Sequence, residues 1–285
     1  MSGLTQLLLF AFGALVGSFI NVLGSRYSDK DGFKLAVRGR SKCDYCKKLL
    51  KWYELVPIFS FLFLRRKCLK CKKKLSWQYP LVEILTGLVF VLVPLKLGQS
   101  IPSAIWLFAF LIFILISVID LRLRIIPDKL TALVGILGVL LFVFYKTTGR
   151  FGLVDGTING SFLGSYAVSF WLGNQNIFLN YAIGVSIGLL FFGSIYFLSK
   201  GKAMGFGDVK LATAIGLLLG WPDSLLAFML AFITGSIYGS VLILRKQKRA
   251  KDVIPFGPFI ILGVTLVFFL GYYILNGYFA TFGLE

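Results

Sequence analysis

The run IPSAIWLFAFLIFILISVID, Ile101 to Asp120, decides the fold. Its first nineteen residues carry no charge, and a helix needs about 20 mainly apolar residues to cross a bilayer. The run then ends on a carboxylate. Four more uncharged stretches, 4–24, 177–198, 224–244 and 256–277, read the same way. Three others carry charge near their starts: 79–97 with Glu83, 128–145 with Asp128, and the short 208–221 with Asp208 and Lys210. The first stretch holds Gly17, Ser18 and Asn21 with no basic residue before it, so it reads as a retained span and not as a signal peptide.

Composition agrees. Hydrophobic residues make up 58% of the 285, charged residues 15%, and mean hydropathy is +0.85. A soluble domain would carry about 25% charged residues. The expectation is an all-α polytopic membrane protein of about eight transmembrane helices. Histidine is absent, which excludes Ser-His-Asp triads, Cys-His dyads, HExxH zinc hydrolases and imidazole-held metals or haem. Acid–base work at neutral pH falls to Asp, Glu, Lys, Tyr or Cys.

The net charge of +18 is distributed unevenly. With eight spans, the connections 25–78, 120–129, 199–210 and 245–252 lie on one side and hold 27 of the 30 Lys and Arg residues. Lys96, Lys146 and Arg150 are the remainder. The positive-inside rule therefore puts those four connections in the cytoplasm and both termini outside; the expected location is the cytoplasmic (inner) membrane. Contact with anionic lipid accounts for the charge, and no nucleic-acid partner is needed. Residues 151–173 carry Gly152, Gly156, Gly160 and Gly164 four apart, a small-residue stripe suited to helix packing. Were they a ninth span, the charge bias would collapse, so they are expected as an external loop or re-entrant piece packed on the bundle.

All four cysteines lie in the first connection, as Cys43-x-x-Cys46 and Cys68-x-x-Cys71 with 21 residues between the pairs. Two such knuckles supply the four thiolates of a tetrahedral zinc site. Neighbouring lysines, Lys42, Lys47, Lys67 and Lys72 among them, favour thiolate over thiol. Disulfides are the lesser option on a reducing side of the membrane. The expected organisation is a first transmembrane helix at 1–24, a small cytoplasmic zinc-binding module with four cysteine ligands at 25–78 and a membrane domain at 79–285. In a module of this size zinc acts first as a staple.

Carboxylates at membrane depth are costly and mark function. Asp120 closes its apolar run, where a negative charge opposes the helix dipole, although Arg122 or Arg124 offers a partner. Asp208 sits in Gly205-Phe-Gly-Asp-Val-Lys210, where Gly205 and Gly207 permit positive φ and close backbone approach. A plain helix-capping role for Asp208 is the competing reading. Topology puts both acids on the cytoplasmic face. A converging pair shares one proton, one carboxylate activating water while the other donates to a carbonyl. Asp128 after Pro127 reads as a helix start, Asp223 after Pro222 as a cap, and Glu83 as a first-turn cap with a site role open.

Together these pieces resemble the bifunctional type IV prepilin peptidases, membrane aspartic proteases also called leader peptidases/N-methyltransferases. The resemblance runs through Phe12-Gly-Ala-Leu-Val-Gly-Ser-Phe-Ile-Asn-Val22, the paired CxxC loop enclosing Trp52-Tyr-Glu-Leu-Val-Pro-Ile-Phe-Ser60, and Tyr79-Pro-Leu-Val-Glu83. It continues through Asp120 to Ile126-Pro-Asp128, then Gly205-Phe-Gly-Asp-Val-Lys-Leu211 and Pro255-Phe-Gly-Pro-Phe259. It implies that Asp120 and Asp208 are the catalytic pair, with Asp128 inessential. It implies removal of the basic leader of prepilins or pseudopilins after a glycine, on the cytoplasmic side. N-methylation of the new phenylalanine or methionine terminus by S-adenosylmethionine occurs in many members, and the zinc loop is associated with that step. This chain departs from the family pattern at Arg66, where glycine is common, and at Lys42 and Asp44 around the first knuckle.

Two other readings stand beside that one. In the first, the chain is a peptidase only and the zinc loop is structural. In the second, it is a non-catalytic scaffold or transporter, against which the acids gather at one face and not at the midplane where transport sites lie. No glycine-rich nucleotide fingerprint is present, so the spacing alone assigns no residue to a methyl donor.

Overall fold

The structure is a computed structural model that describes residues 2–29, 32–33, 39–43, 45–149, 152–154, 157–169, 176–247 and 254–282. Asp44 and parts of 151–173 and 245–252 lie outside the described residues. Among the described residues, ten α-helices occur in order: α1 Gly3–Arg26, α2 Phe59–Phe63, α3 Gln78–Leu97, α4 Ile101–Leu123, α5 Asp128–Thr148, α6 Tyr166–Ser169, α7 Ile177–Ser199, α8 Phe206–Leu219, α9 Asp223–Leu244 and α10 Gly257–Ala280. Seven of these, α1, α3, α4, α5, α7, α9 and α10, are long and apolar enough to cross a membrane. The all-helical membrane expectation holds, and the protein is a multi-pass membrane protein. The eighth expected span is the short one. At 14 residues, α8 is about 21 Å long, well under the roughly 30 Å of a bilayer core. The chain divides into two compact units, Met1–Arg122 and Leu123–Glu285.

Within the first unit, α1 and α3 pack through glycine. A side chain on Gly13 would strike Phe90 and the Gly87 backbone, and one on Gly17 would strike Glu83 Cα and Thr86. Lipid offers helices no hydrophobic drive to associate, so this close backbone approach supplies the contact. Asn21 is buried in the same seam and donates from Nδ2 to the Tyr79 carbonyl at 3.1 Å. Arg122, offered above as an ion-pair partner for Asp120, sets its guanidinium on the Gly24 and Ser25 carbonyls. A cation there satisfies carbonyls that the end of α1 leaves without helical partners.

Within the second unit, α8 is held by glycines on both neighbours. Gly138 of α5 lies against Leu217 and Leu218, and Gly188 of α7 against the Ala212 carbonyl. The short helix is thereby enclosed by protein along much of its length, burying Leu211, Ala212, Ile215 and Leu218.

Among the described residues, Gly152, Gly160 and Gly164 of the glycine stripe lie outside helices. β1, Gly152–Val154, pairs antiparallel with β2, Thr157–Asn159, and Gly160 and Gly164 take φ of 100° and 61°. Left-handed backbone of that kind breaks a helix and suits glycine. The residues after β2 pack on α10: Leu163 is buried, the Phe162 and Phe268 rings are 4.6 Å apart, and Tyr166 Oη meets Asn276 Oδ1 at 2.9 Å. Asp223 is the second anchor, accepting from Ser161 Oγ and the Phe162 N–H at 2.7 Å each. The cap reading of Asp223 missed this role, because its partners lie about 60 residues back in the chain.

Candidate active site and metal centre

The two cysteine pairs fold as two copies of one knuckle. Cys43 N–H donates to the Lys48 carbonyl and Lys47 N–H to the Cys43 carbonyl; Cys68 and Lys72 repeat both bonds with Lys73 and Cys68. Lys47 and Lys72 each take φ of 56°, the left-handed turn that aims two thiols from one short loop at a common point. Arg66 has φ of 60°, a conformation that glycine adopts without strain.

The knuckles bring their sulfurs together. All four Sγ atoms lie within 4.8 Å of one another, with Cys43–Cys71 and Cys46–Cys68 both at 3.9 Å. The cysteines are free. A tetrahedron of thiolates at about 2.3 Å from zinc has edges of about 3.8 Å, so the donor set fits that ion. Backbone N–H groups of Cys71 and Lys70 pull the Cys68 thiol down to about 6, and burial pushes Cys43 up to about 11. Beside the knuckles, Lys48 and Glu54 form an ion pair at 3.0 Å with the carboxylate almost fully buried. Burial alone would raise Glu54; the Lys51 N–H and the Lys48 ammonium outweigh it and hold the acid below the usual carboxylate range.

The segment between the knuckles reaches α3 through Ile58. Ile58 N–H donates to Glu83 Oε2 at 2.8 Å. Glu83 lies past the first turn of α3, which begins at Gln78, so it does not cap that helix as expected. Ile58 sits at φ 63°, ψ −53°, and Phe59 N–H closes back on the Pro57 carbonyl at 2.6 Å, a γ-turn. Positive φ is costly for a β-branched residue.

Asp120 occupies the last turn of α4 and is 3% exposed; Asp208 occupies the first turn of α8 and is 9% exposed. Gly205 is extended at φ −76° and Gly207 is helical, so neither uses positive φ, and that expectation is corrected. Close approach is their contribution. A Cβ on Gly207 would lie 3.1 Å from Ile126 Cβ, and one on Gly205 would lie 3.4 Å from Asp208 Oδ2. Asp128 begins α5 as expected and pairs with Lys210 at 2.8 Å.

Two known families match the chain. Residues 11–97 match the bacterial peptidase A24 N-terminal domain, and residues 106–240 match the type IV leader peptidase family. The prepilin leader peptidase/N-methyltransferase of Aeromonas salmonicida (strain A449) is 30% identical over 301 residues, covering 96% of this chain and 94% of that one.

The chain belongs to the type IV leader peptidase family.

Similar proteins of the same printed name occur in Bacillus subtilis (strain 168), 28% identical over 275 residues with 95% and 96% of the two chains covered. Another, from Legionella pneumophila, is 30% identical over 246 residues with 84% and 75% covered. No solved structure matches. Membership makes this chain a leader peptidase by class, and the two matched stretches include the candidate residues described above.

Proposed function

We propose that the protein removes the basic leader of type IV prepilins or pseudopilins at the cytoplasmic membrane face and then methylates the new N-terminus. Asp120 and Asp208 are the catalytic pair. The observation that carries this reading is that both carboxylates are buried, at 3% and 9% exposure, in helix turns next to strongly basic connections. An isolated carboxylate is expensive at such depth, and two that share a proton lessen the expense. One takes a proton from water as the water attacks the scissile carbonyl; the other, protonated, donates to the carbonyl oxygen. The pair titrates as a unit. Gly205 and Gly207 shape the approach to Asp208.

The division of labour follows the sequence: a first helix at 1–24, a zinc module at 25–78 and a peptidase domain at 79–285. Cys43, Cys46, Cys68 and Cys71 hold Zn²⁺, which fixes the two knuckles relative to each other. S-adenosylmethionine is the methyl donor. Prepilin stems lie in the bilayer while their leaders meet the cytoplasmic face, the side favoured by the 27 basic residues.

The test is intact-mass analysis of a matched prepilin after incubation with purified protein, with and without S-adenosylmethionine. Loss of the leader in wild type and its retention by Asp120→Asn and Asp208→Asn is expected. Cleavage at the wild-type rate by either variant would remove that residue from the mechanism. A methyl group adds about 14 Da; its absence from every cleaved product would leave the zinc module structural only.

A further inference from the structure

Within the first unit, a cavity of about 470 Å³ is enclosed by α1, α3 and the cysteine module, within the size range of small-molecule sites. Arg26, Arg40, Lys42, Lys47 and Lys67 line it, with two carboxylates, Glu54 and Glu83. Glu54 is already taken by Lys48 and by the Lys51 N–H. Glu83 is different. It is buried, accepts the Ile58 N–H, has the Ser18 hydroxyl within reach, and among the described residues forms no ion pair. A buried carboxylate has about four acceptor sites and is costly without a cation beside it. The γ-turn at Ile58 is held in a strained conformation while it supplies one of those bonds, and strain of this kind persists where the surroundings enforce it.

We infer that Glu83 receives the α-ammonium group of the leaderless substrate in this cavity. The inference rests on the proposed methylation and assigns a residue to it. The basic wall suits the carboxylate of S-adenosylmethionine, and Glu83 suits the cationic amine. Glu83 takes one proton from the ammonium; the freed nitrogen lone pair attacks the donor's methyl carbon. The carbon–sulfur bond breaks with its electrons remaining on sulfur, leaving a neutral thioether and a methylated ammonium. Glu83 ends the step protonated.

Glu83→Gln tests this without breaking the structural bond, because its amide oxygen still accepts from Ile58. Full-length, zinc-loaded protein would be titrated with a labelled, leaderless peptide beginning with phenylalanine, in the presence of S-adenosylhomocysteine. The same peptide with an acetylated N-terminus is the control, since acetylation removes the charge. Glu83→Gln should weaken binding of the free-amine peptide by about 10- to 100-fold, the range for a hydrogen bond to a charged group, and leave the acetylated peptide unaffected. Its methyl-transfer rate should fall by about 10²-fold or more. Equal weakening of both peptides, or no weakening, overturns the assignment. Zinc content checks folding; should Glu83→Gln lose zinc, Glu83→Asp decides, its shorter carboxylate being expected to retain selectivity for the free amine. Absence of methyl transfer by wild type itself overturns the underlying methylation. The binding comparison then reports separately whether Glu83 holds an amine.

Discussion

Gly184 and Gly216 meet backbone to backbone: a Cβ on Gly216 would collide with the Gly184 carbonyl, and one on Gly184 with the Gly216 carbonyl. This contact fixes α8, the helix that carries Asp208, against α7. Substituting alanine at either position forces the helices apart, at a cost of about 1–3 kcal/mol for overpacking. Gly193, on the same α7, has nothing within 4 Å of its would-be Cβ. There alanine should stabilise the helix by up to about 1 kcal/mol. Thermal unfolding in detergent checks the contrast: Gly184→Ala and Gly216→Ala should melt lower than wild type, and Gly193→Ala no lower. Leader cleavage should fall in the first two as Asp208 shifts. Equal behaviour at all three would mean that the α7–α8 seam is not the constraint.

Asp223 anchors the 160s segment through Ser161 Oγ and the Phe162 N–H. Asp223→Ala strips the acceptor from both, for about 1–3 kcal/mol where the donors are left unpaired. Asp223→Asn keeps one carbonyl oxygen and should lose less. Limited proteolysis of the segment, with mass mapping of the fragments, should show faster cutting in the alanine variant than in the asparagine variant. Indistinguishable rates would show that Phe162 and Leu163 packing holds the segment without the carboxylate.

The membrane helices were legible because each is a long run with one dominant property. Ile101 to Ile119 needs no neighbour to be read. The cysteine module was legible for a similar local reason, since each CxxC pair arises from one turn. Contacts across the chain were not. Nothing in Val56-Pro57-Ile58 announces a γ-turn that hands its N–H to Glu83, and proximity to Pro80 made Glu83 resemble a cap. The glycine stripe of 152–164 reads as a packed loop only through the charge tally of the connections, because its spacing is ambiguous. Glycine at four-residue spacing serves helix packing, yet positive φ at Gly160 and Gly164 serves turns, and spacing does not choose between them. At Gly205 the sequence allowed both positive φ and close approach, and only the close approach is used.

Asp128 and Lys210 illustrate an ion pair expected to matter little. Their contact is 2.8 Å, but the side chains are 72% and 38% exposed. Exposed pairs contribute about 0–1 kcal/mol. Asp128→Asn and Lys210→Met should therefore melt within a few degrees of wild type and cleave prepilin within about fivefold, since 1 kcal/mol is roughly fivefold. A loss of a hundredfold in cleavage by Asp128→Asn would move that residue into the catalytic machinery.

Zinc affinity should depend on pH through Cys43. Its thiol stands at about 11 in the metal-free module, while Cys68 stands at about 6. At pH 7 Cys68 is already largely thiolate, whereas Cys43 must release a proton before it can ligate. One proton released means about a tenfold rise in affinity per pH unit from this residue, throughout pH 6.5–8.5. Without metal the two thiols act on stability in opposite senses. The lowered Cys68 value stabilises the fold above the ordinary thiol range, a contribution lost as pH falls through about 6. The raised Cys43 value stabilises it below that range, a contribution lost as pH rises through about 11. Chelator competition at pH 6.5 and 8.5 measures the slope. Affinity independent of pH would show that Cys43 is not a ligand or is not protonated in the free module. Cys68→Ser should carry well under one zinc per chain and fail to methylate. Its leader cleavage should persist, because Asp120 and Asp208 lie outside the cysteine module; loss of both activities together would instead make zinc a requirement for the whole fold.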